Sequence, residues 1–438
     1  MARSCSSSDE GGTRCARALG ALTALLTLAS PARSLAQDEG GGGARDRRVT
    51  TTVIMMTDGR ASAAQATSLT IGLRRGIRDV RGVRYVDPVD VLSARDIPEQ
   101  VQMALDDLDA IADMVRTGDP AEAARRADAA IQAFESNLLV VRRASLTDAY
   151  MLLALSRCRM RERRECAEGI ERVVAFREGI EYDVRRYPEE YLQFFEDAKE
   201  RALGGQRGSI EVTTEPEGAE VFIDGRSYGP SPAVAEGLLV GDHYVTLKQL
   251  GYEKLIERAS VSNEQQNSAH YDLVQSDRAL LLDRAMPRMR GELGERRAGP
   301  YTTGMASYLF VNQAIVGVVR PGPAGQVDVS LYLYDLRTRF LLARKDATLP
   351  GNPQDEGARE SAAELASQIY HGVDLSGAIA APEDAPIVGP ARPLYERWWF
   401  WTAVGVVVVS GVVAVALLAG GSEQTVPEGW TRFDGQIR

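Results

Sequence analysis

The chain has 438 residues, is 44% apolar and 26% charged, and carries a formal charge of -10. That length leaves room for two or three domains, and the balance is that of a globular rather than a disordered protein. An acidic chain repels phosphate backbones and no basic run in the sequence offsets this, so no nucleic-acid partner is expected. The densest basic stretch, between Arg157 and Arg164, is interleaved with Glu162 and reads as a solvated helical turn. Lysine occurs only at Lys199, Lys248, Lys254 and Lys345, a bias that says nothing about partners.

At the amino terminus, Arg14 and Arg17 precede an apolar stretch too short to span a bilayer comfortably, followed by small residues at Ser34 and Ala36. Residues 1–36 therefore have the three parts of a secretory signal peptide, with cleavage expected after Ala36. Cys5 and Cys15 both lie ahead of the apolar core, so no lipid-attachment cysteine follows it. The glycine-rich residues 37–48 read as a flexible linker.

Residues 49–97 form the first part of an α/β unit: a strand over 49–57, a helix over 61–80 and a second strand over 83–87. From 98 to 204 apolar residues return every three or four positions, with breaks at "TGDP" and "REG", which predicts antiparallel helices throughout. Tyr150, Leu153 and Ala154, then Cys166, Ile170 and Val173, fall where tetratricopeptide repeats place their packing residues, and Gly118, Ala123 and Ala130 suggest an earlier copy. The array resembles that family, with irregular spacing and Arg157 where an aromatic is usual. An unrelated helical bundle is the alternative. Small residues at Ala154 and Cys166 would allow two helices to approach closely.

Residues 208–275 show strand-like alternation over 209–213, 220–223, 243–248 and 269–273, each run bounded by Gly, Pro or Asp. Asp224-Gly225 is a strong hairpin signal, because the tight turn needs two positive φ angles that Asp and Gly tolerate. With Pro216, Glu217, Gly218 and Ala219 spelling the tetrad, and "VFIDG", "GPSP", "GDHYVTL" and "GYE" following, the segment resembles a PEGA domain. The resemblance implies a small antiparallel β-sandwich of a kind often found in exported bacterial proteins, without catalytic activity. On this reading the tetrad and its hairpin offer a binding surface.

A helical connector over 276–300 leads into residues 301–375, with strands at "NQAIVGVVR", "QVDVSLYLYDL" and "RFLLARKDATL" and a helix over 356–370. Together with 49–97 this half resembles the amino-terminal α/β domain of TolB-like envelope proteins. A discontinuous domain with two insertions and two independent small units both remain open, and pairing between 49–57 and 312–320 would decide between them.

Residues 376–397 are a Pro/Ala-rich spacer. Residues 398–421 contain no charge, are long enough to cross a bilayer, and carry Trp398, Trp399 and Trp401 where an aromatic belt would lie. The flanking arginines balance, so orientation follows from the signal peptide: a single pass through the bacterial inner membrane, the bulk of the chain in the periplasm, and a short cytoplasmic tail over 422–438.

Chemistry is sparse. His243, His270 and His371 stand without Cys, Asp or Glu at metal-ligand spacing, and no phosphate loop, dinucleotide fingerprint or nucleophile elbow occurs. "MTDGR", Met56 to Arg60, could form an acidic loop at a strand end, where α/β sheets hold ligands, or be only a turn. Cys158 and Cys166 flank the loop of one helical hairpin; they could form a disulfide or be two small buried residues. The expected class is thus a multidomain α+β protein: a helical-repeat array, a PEGA-like sandwich, an α/β domain and one transmembrane helix. No enzyme activity, cofactor or metal is expected. The expected role is a membrane-anchored scaffold or adaptor for envelope proteins or a cell-wall polymer; a structural wall-contacting protein is the alternative, and an envelope enzyme a more distant one.

Overall fold

The computed structural model describes residues 49–263, 267–373 and 375. The signal peptide, the glycine-rich linker, the Pro/Ala-rich spacer, the 398–421 span and the tail lie outside them. Among the described residues no helix is long and apolar enough to cross a membrane.

Strand β1 (Val49–Thr57) is a β-branched and methionine-rich run buried on both faces, as the middle of a covered sheet requires. It pairs in parallel with β2 (Val83–Tyr85) on one side and β10 (Gln313–Pro321) on the other, in register from Thr51↔Gln313 to Thr57↔Val319. Antiparallel β11 (Gln326–Asp335) and β12 (Phe340–Pro350) complete a sheet of order β12-β11-β10-β1-β2. Strands from both sequence segments thus share one sheet, which rules out two independent units.

Helices α1 (Ala63–Arg78) and α10 (Glu356–Tyr370) cover one face over Val53, Ile315, Val329 and Leu333. They touch closely because Gly72 has no side chain: a Cβ there would stand 2.7 Å from that of Ala362. Ser62 and Gln65 form a capping box that starts α1. The other face carries Ile54, Met56, Val316 and Tyr334 under α2 (Pro88–Leu92), α8 (Asp277–Gly291) and α9 (Pro300–Leu309). Helices α2 and α9 depart from the sequence expectation. Both begin at proline in the first turn, which pre-sets φ for a helix, and both are too short to show a periodic stripe.

The inserted array comprises α3 (Glu99–Thr117), α4 (Pro120–Glu135), α5 (Arg143–Arg159), α6 (Arg163–Phe176) and α7 (Leu192–Leu203). Asp119 caps α4 ahead of Pro120, at the expected "TGDP" break. Helices α5 and α6 meet at Ala154 and Gly169, where a Cβ on Gly169 would lie 2.8 Å from that of Ala154. Gly169 thus joins the expected small residues in letting the helices close up, and Cys166 is itself fully buried against α5. The array is not helical throughout: between Arg177 and Pro188 the chain is irregular, held by Tyr182 and Tyr187 against the array core. The Tyr182 hydroxyl donates to the Pro188 carbonyl, 2.7 Å away.

The β-module contains β3 (Arg207–Glu215), β4 (Glu220–Ile223), β5 (Arg226–Pro230), β6 (Ala233–Leu239), β7 (Gly241–Lys248), β8 (Leu255–Val261) and β9 (Asn267–Asp272). A three-stranded sheet, β6-β3-β9, faces a four-stranded sheet, β5-β4-β7-β8, across Ile210, Val212, Val221, Val245 and Leu247. The expected all-antiparallel sandwich needs correction: β3 and β9 run parallel from Ile210↔Asn267 to Glu215↔Asp272. Strands β5, β6 and β8 escaped the pattern because their alternation is broken by glycine, proline or charged residues on the open face.

Candidate functional site

The tetrad is an internal joint. Gly218 adopts φ +98, its carbonyl accepts from the Thr67 hydroxyl of α1 at 2.7 Å, and a Cβ on it would lie 2.6 Å from the Ala64 nitrogen. Its amide and that of Ala219 both donate to the buried Ser231 Oγ, at 2.9 and 3.1 Å. Pro216 follows a cis peptide bond, and the Glu217 carbonyl accepts from Gln249. The tetrad thus seats the β-module on the amino-terminal end of α1. That corrects the expectation that it offers an external binding surface. Gln354, just before α10, extends the seam by donating to the Pro230 and Pro232 carbonyls.

Beside the tetrad lies a charged cluster. Arg74 of α1, nearly buried, makes a two-pronged contact with Glu220 at the start of β4. Burial alone would lower the guanidinium's pKa; the Glu220 hydrogen bond and charge outweigh that and raise it. Lys248 bonds Asp87 at 3.0 Å and Asp90 at 2.6 Å, and Lys254 reaches Asp90 at 3.1 Å. Burial opposes the Lys248 charge too, but the two carboxylates hold its pKa above the ordinary value, and the lysines in turn hold Asp90 below its own. Arg74 and Lys248 also stand 5.7 and 5.5 Å from the Phe222 ring centre, as cation–π partners.

Arg74, Asp87, Glu220 and Lys248 of this cluster form one wall of a cleft of about 310 Å³. The cleft opens beyond the carboxyl ends of β1 and β2, beside the point where the parallel order reverses, a common ligand position in α/β sheets. Met56, Ala66, Val89, Leu250 and Met286 supply an apolar lining. Arg74, Lys248 and Arg290 are matched there by Asp87, Glu220 and Asp283, so the lining is neutral in sum. Gln249 is 9% exposed, and its Oε1 has no hydrogen-bond partner among the described residues. An N–H or O–H donor entering the cleft would satisfy it. Burial pushes the Tyr85 hydroxyl well up, keeping it a neutral donor at the same wall. The arrangement suits recognition of a neutral, partly apolar group. Among the described residues no group of three or more His, Cys, Asp or Glu could hold a metal ion.

A second seam joins the β-module to the array. The hydroxyls of Tyr150 on α5 and Tyr244 on β7 both donate to Glu135 Oε1, at 2.6 and 2.8 Å, and Arg258 reaches Oε2 at 3.2 Å. Phe176 packs edge-on against Tyr244 with ring centres 5.2 Å apart.

The remaining sequence candidates fall elsewhere. Asp224 and Gly225 have φ +50 and +81, the geometry of the expected hairpin turn. Asp224 accepts from the Tyr244 amide and pairs with the buried His243 Nδ1, whose ring also reaches the Leu239 carbonyl. His270 and His371 are exposed. Asp58 of "MTDGR" pairs with Arg290 and Arg320 at the rim of the sheet. Cys158 and Cys166 are joined by a disulfide across the α5–α6 loop, with Cα atoms 5.1 Å apart. Arg74, Tyr85, Asp87, Glu220, Lys248 and Gln249 were not singled out in the sequence. One signal was available for them: two of the chain's four lysines, Lys248 and Lys254, lie six residues apart at this seam.

Residues 207–277 match the PEGA domain family, a segment that coincides with β3 to β9. A search of curated proteins finds no match to the chain.

Proposed function

We propose that the chain is a non-enzymatic scaffold or adaptor of a bacterial envelope, anchored by residues 398–421 with its bulk in the periplasm. It binds a protein or cell-wall partner through its tetratricopeptide-like array and the edge strands β8 and β9 of its PEGA module. The observation that carries this reading is the position of the PEGA module between two other bodies. One seam fixes it to the α/β domain through Gly218 and Glu220, the other to the helical array through Tyr244 and Glu135. A chain built this way presents its surfaces in fixed relation, as an adaptor must. The bonded Cys158 and Cys166 fit an oxidising compartment, which supports export.

Affinity capture from detergent-solubilised envelopes, run beside sedimentation with purified cell wall, tests the role. An adaptor enriches a defined protein at constant ratio. Sedimentation with wall and no enriched protein would assign the structural, wall-contacting role instead. Protease added to spheroplasts tests the topology: the bulk of the chain should be degraded, and full protection would overturn the periplasmic placement.

A further inference from the structure

We infer that the amino-terminal end of the parallel strands is a membrane-facing surface that docks on anionic phospholipid headgroups. The strand register gathers this surface from distant parts of the sequence. Val49 lies beside Val83, Gln313 beside Asp335, and Asp335 beside Phe340, which in turn bridges to Arg297. The turns entering and leaving these strands therefore meet at one end of the sheet.

What they bring is basic and aromatic. Arg81 and Arg84 flank the start of β2, Arg296 and Arg297 approach β12, and Arg339 closes its hairpin; all five are exposed. The exposed acids in these turns are Asp79 and Glu295, while Asp335 is buried and accepts from the Arg337 and Thr338 amides. On a chain of net charge -10, such an edge is a local reversal of sign. Among the arginines stand Tyr308, 59% exposed, and Phe310, 68% exposed, with Phe340 stacked under Arg297 at 4.8 Å. Phe310 holds φ +54, a conformation unfavourable for an aromatic residue, and points no large apolar surface into the core in return. Guanidinium groups pair with phosphate oxygens, and aromatic rings settle at the headgroup level, so a bilayer surface satisfies both.

The course of the chain selects the bilayer over other polyanions. The Tyr370 hydroxyl at the end of α10 bonds Thr51 Oγ1 at 3.0 Å, so α10, the last described helix ahead of the apolar run 398–421 in the sequence, ends at this same edge of the sheet. The PEGA module sits at the opposite end, on Ala63, Ala64 and Gln354, and leaves the basic edge uncovered. This choice of occupant rests on the anchored reading above; the charge and aromatic pattern does not.

The test uses the full chain reconstituted into phosphatidylcholine vesicles and into phosphatidylcholine–phosphatidylglycerol vesicles. Amide hydrogen exchange is followed over residues 294–299, 308–312 and 336–341. Slower exchange at all three in the anionic vesicles alone, reversed by high salt, is the expected result. Replacing Arg296, Arg297 and Arg339 together by Glu should abolish the difference, while replacing them by Lys should keep most of it. Unchanged exchange in β10 and α5 shows that the variants remain folded. Equal exchange in both vesicle types, with wild-type chain, overturns the inference. Alkaline carbonate extraction reports the anchor separately. If the chain is extracted, the anchored reading fails and the patch is judged by co-sedimentation with the same vesicles, where each reversed arginine should weaken association by more than about fivefold, and unchanged association would overturn the inference.

Discussion

At the scale of single residues, the seam between the PEGA module and the α/β domain depends on charges removed from water. Arg74 and Glu220 have side chains only 10% and 6% exposed, and each satisfies the other. Glu220→Gln removes the guanidinium's two-pronged partner and leaves only Asp87, 3.9 Å away, as a counter-charge; it is expected to destabilise the fold by about 3 kcal/mol, measured by urea unfolding. Replacing both residues with apolar ones of similar size should recover most of that loss, since the cost lies in the unpaired charge. His243 gives a pH signature of its own. Burial alone would lower the pKa of its ring, yet the hydrogen bond and charge of Asp224 dominate and raise it above 6.5. Because the folded value is the higher one, the proton's contribution is fully present below pH 6.5 and is lost as pH rises through the folded pKa. Thermal unfolding of the wild-type chain should therefore show a melting temperature that falls across that window, and His243→Gln should flatten the fall. An unchanged slope in the variant would assign the pH dependence to other groups.

At the scale of elements, the two glycines Gly218 and Gly237 separate backbone conformation from docking. Both have positive φ, +98 and +73, but a Cβ on Gly237 meets nothing within 4 Å whereas one on Gly218 collides with the first turn of α1. Gly237→Ala should cost about 1 kcal/mol for the strained φ alone, and Gly218→Ala about 1–3 kcal/mol beyond that, both read from chemical denaturation. Equal costs would mean that α1 yields freely and the tetrad is not a joint. Strand β12 poses a different problem, since it is an eleven-residue strand whose outer edge, beyond the bridge from Arg297 to Phe340 at its start, pairs with no other strand among the described residues. Lys345, one of only four lysines, sits near its middle, where a charged side chain discourages pairing with a second chain. Lys345→Val should then produce concentration-dependent association in light scattering under conditions where the wild-type chain shows none.

At the scale of the whole molecule, legibility in the sequence followed how local each signal was. The run over Val49–Thr57, the "TGDP" break and the Asp224-Gly225 turn are local, and each was readable to within a residue or two. The tetrad was readable as a motif, yet its inward-facing role was not, because Gly218 meets Ala64 across a chain separation that no local pattern encodes. The cleft and the basic edge were hidden for the same reason: Arg74 and Glu220, or Arg84 and Arg339, become neighbours only through the sheet register. The same long-range construction makes a prediction about how the parts cooperate. The Gly218 contact joins α1 to the turn before β4, while the Tyr244 contact joins β7 to α4, α5 and α6, and among the described residues the two share no side-chain partner. Tyr244→Ala removes an aromatic contact and a hydrogen bond to Glu135, so it should destabilise by about 3 kcal/mol and speed amide exchange in α5 and α6. Gly218→Ala should speed exchange in α1 instead. If the PEGA sandwich is stiff, the two substitutions act at independent sites and their costs add to within about 0.5 kcal/mol. A shortfall in the double variant beyond that margin would show that loosening one seam already lets the module shift as a body. The fixed relation between array and α/β domain, on which the adaptor reading depends, would then hold only while both seams are intact.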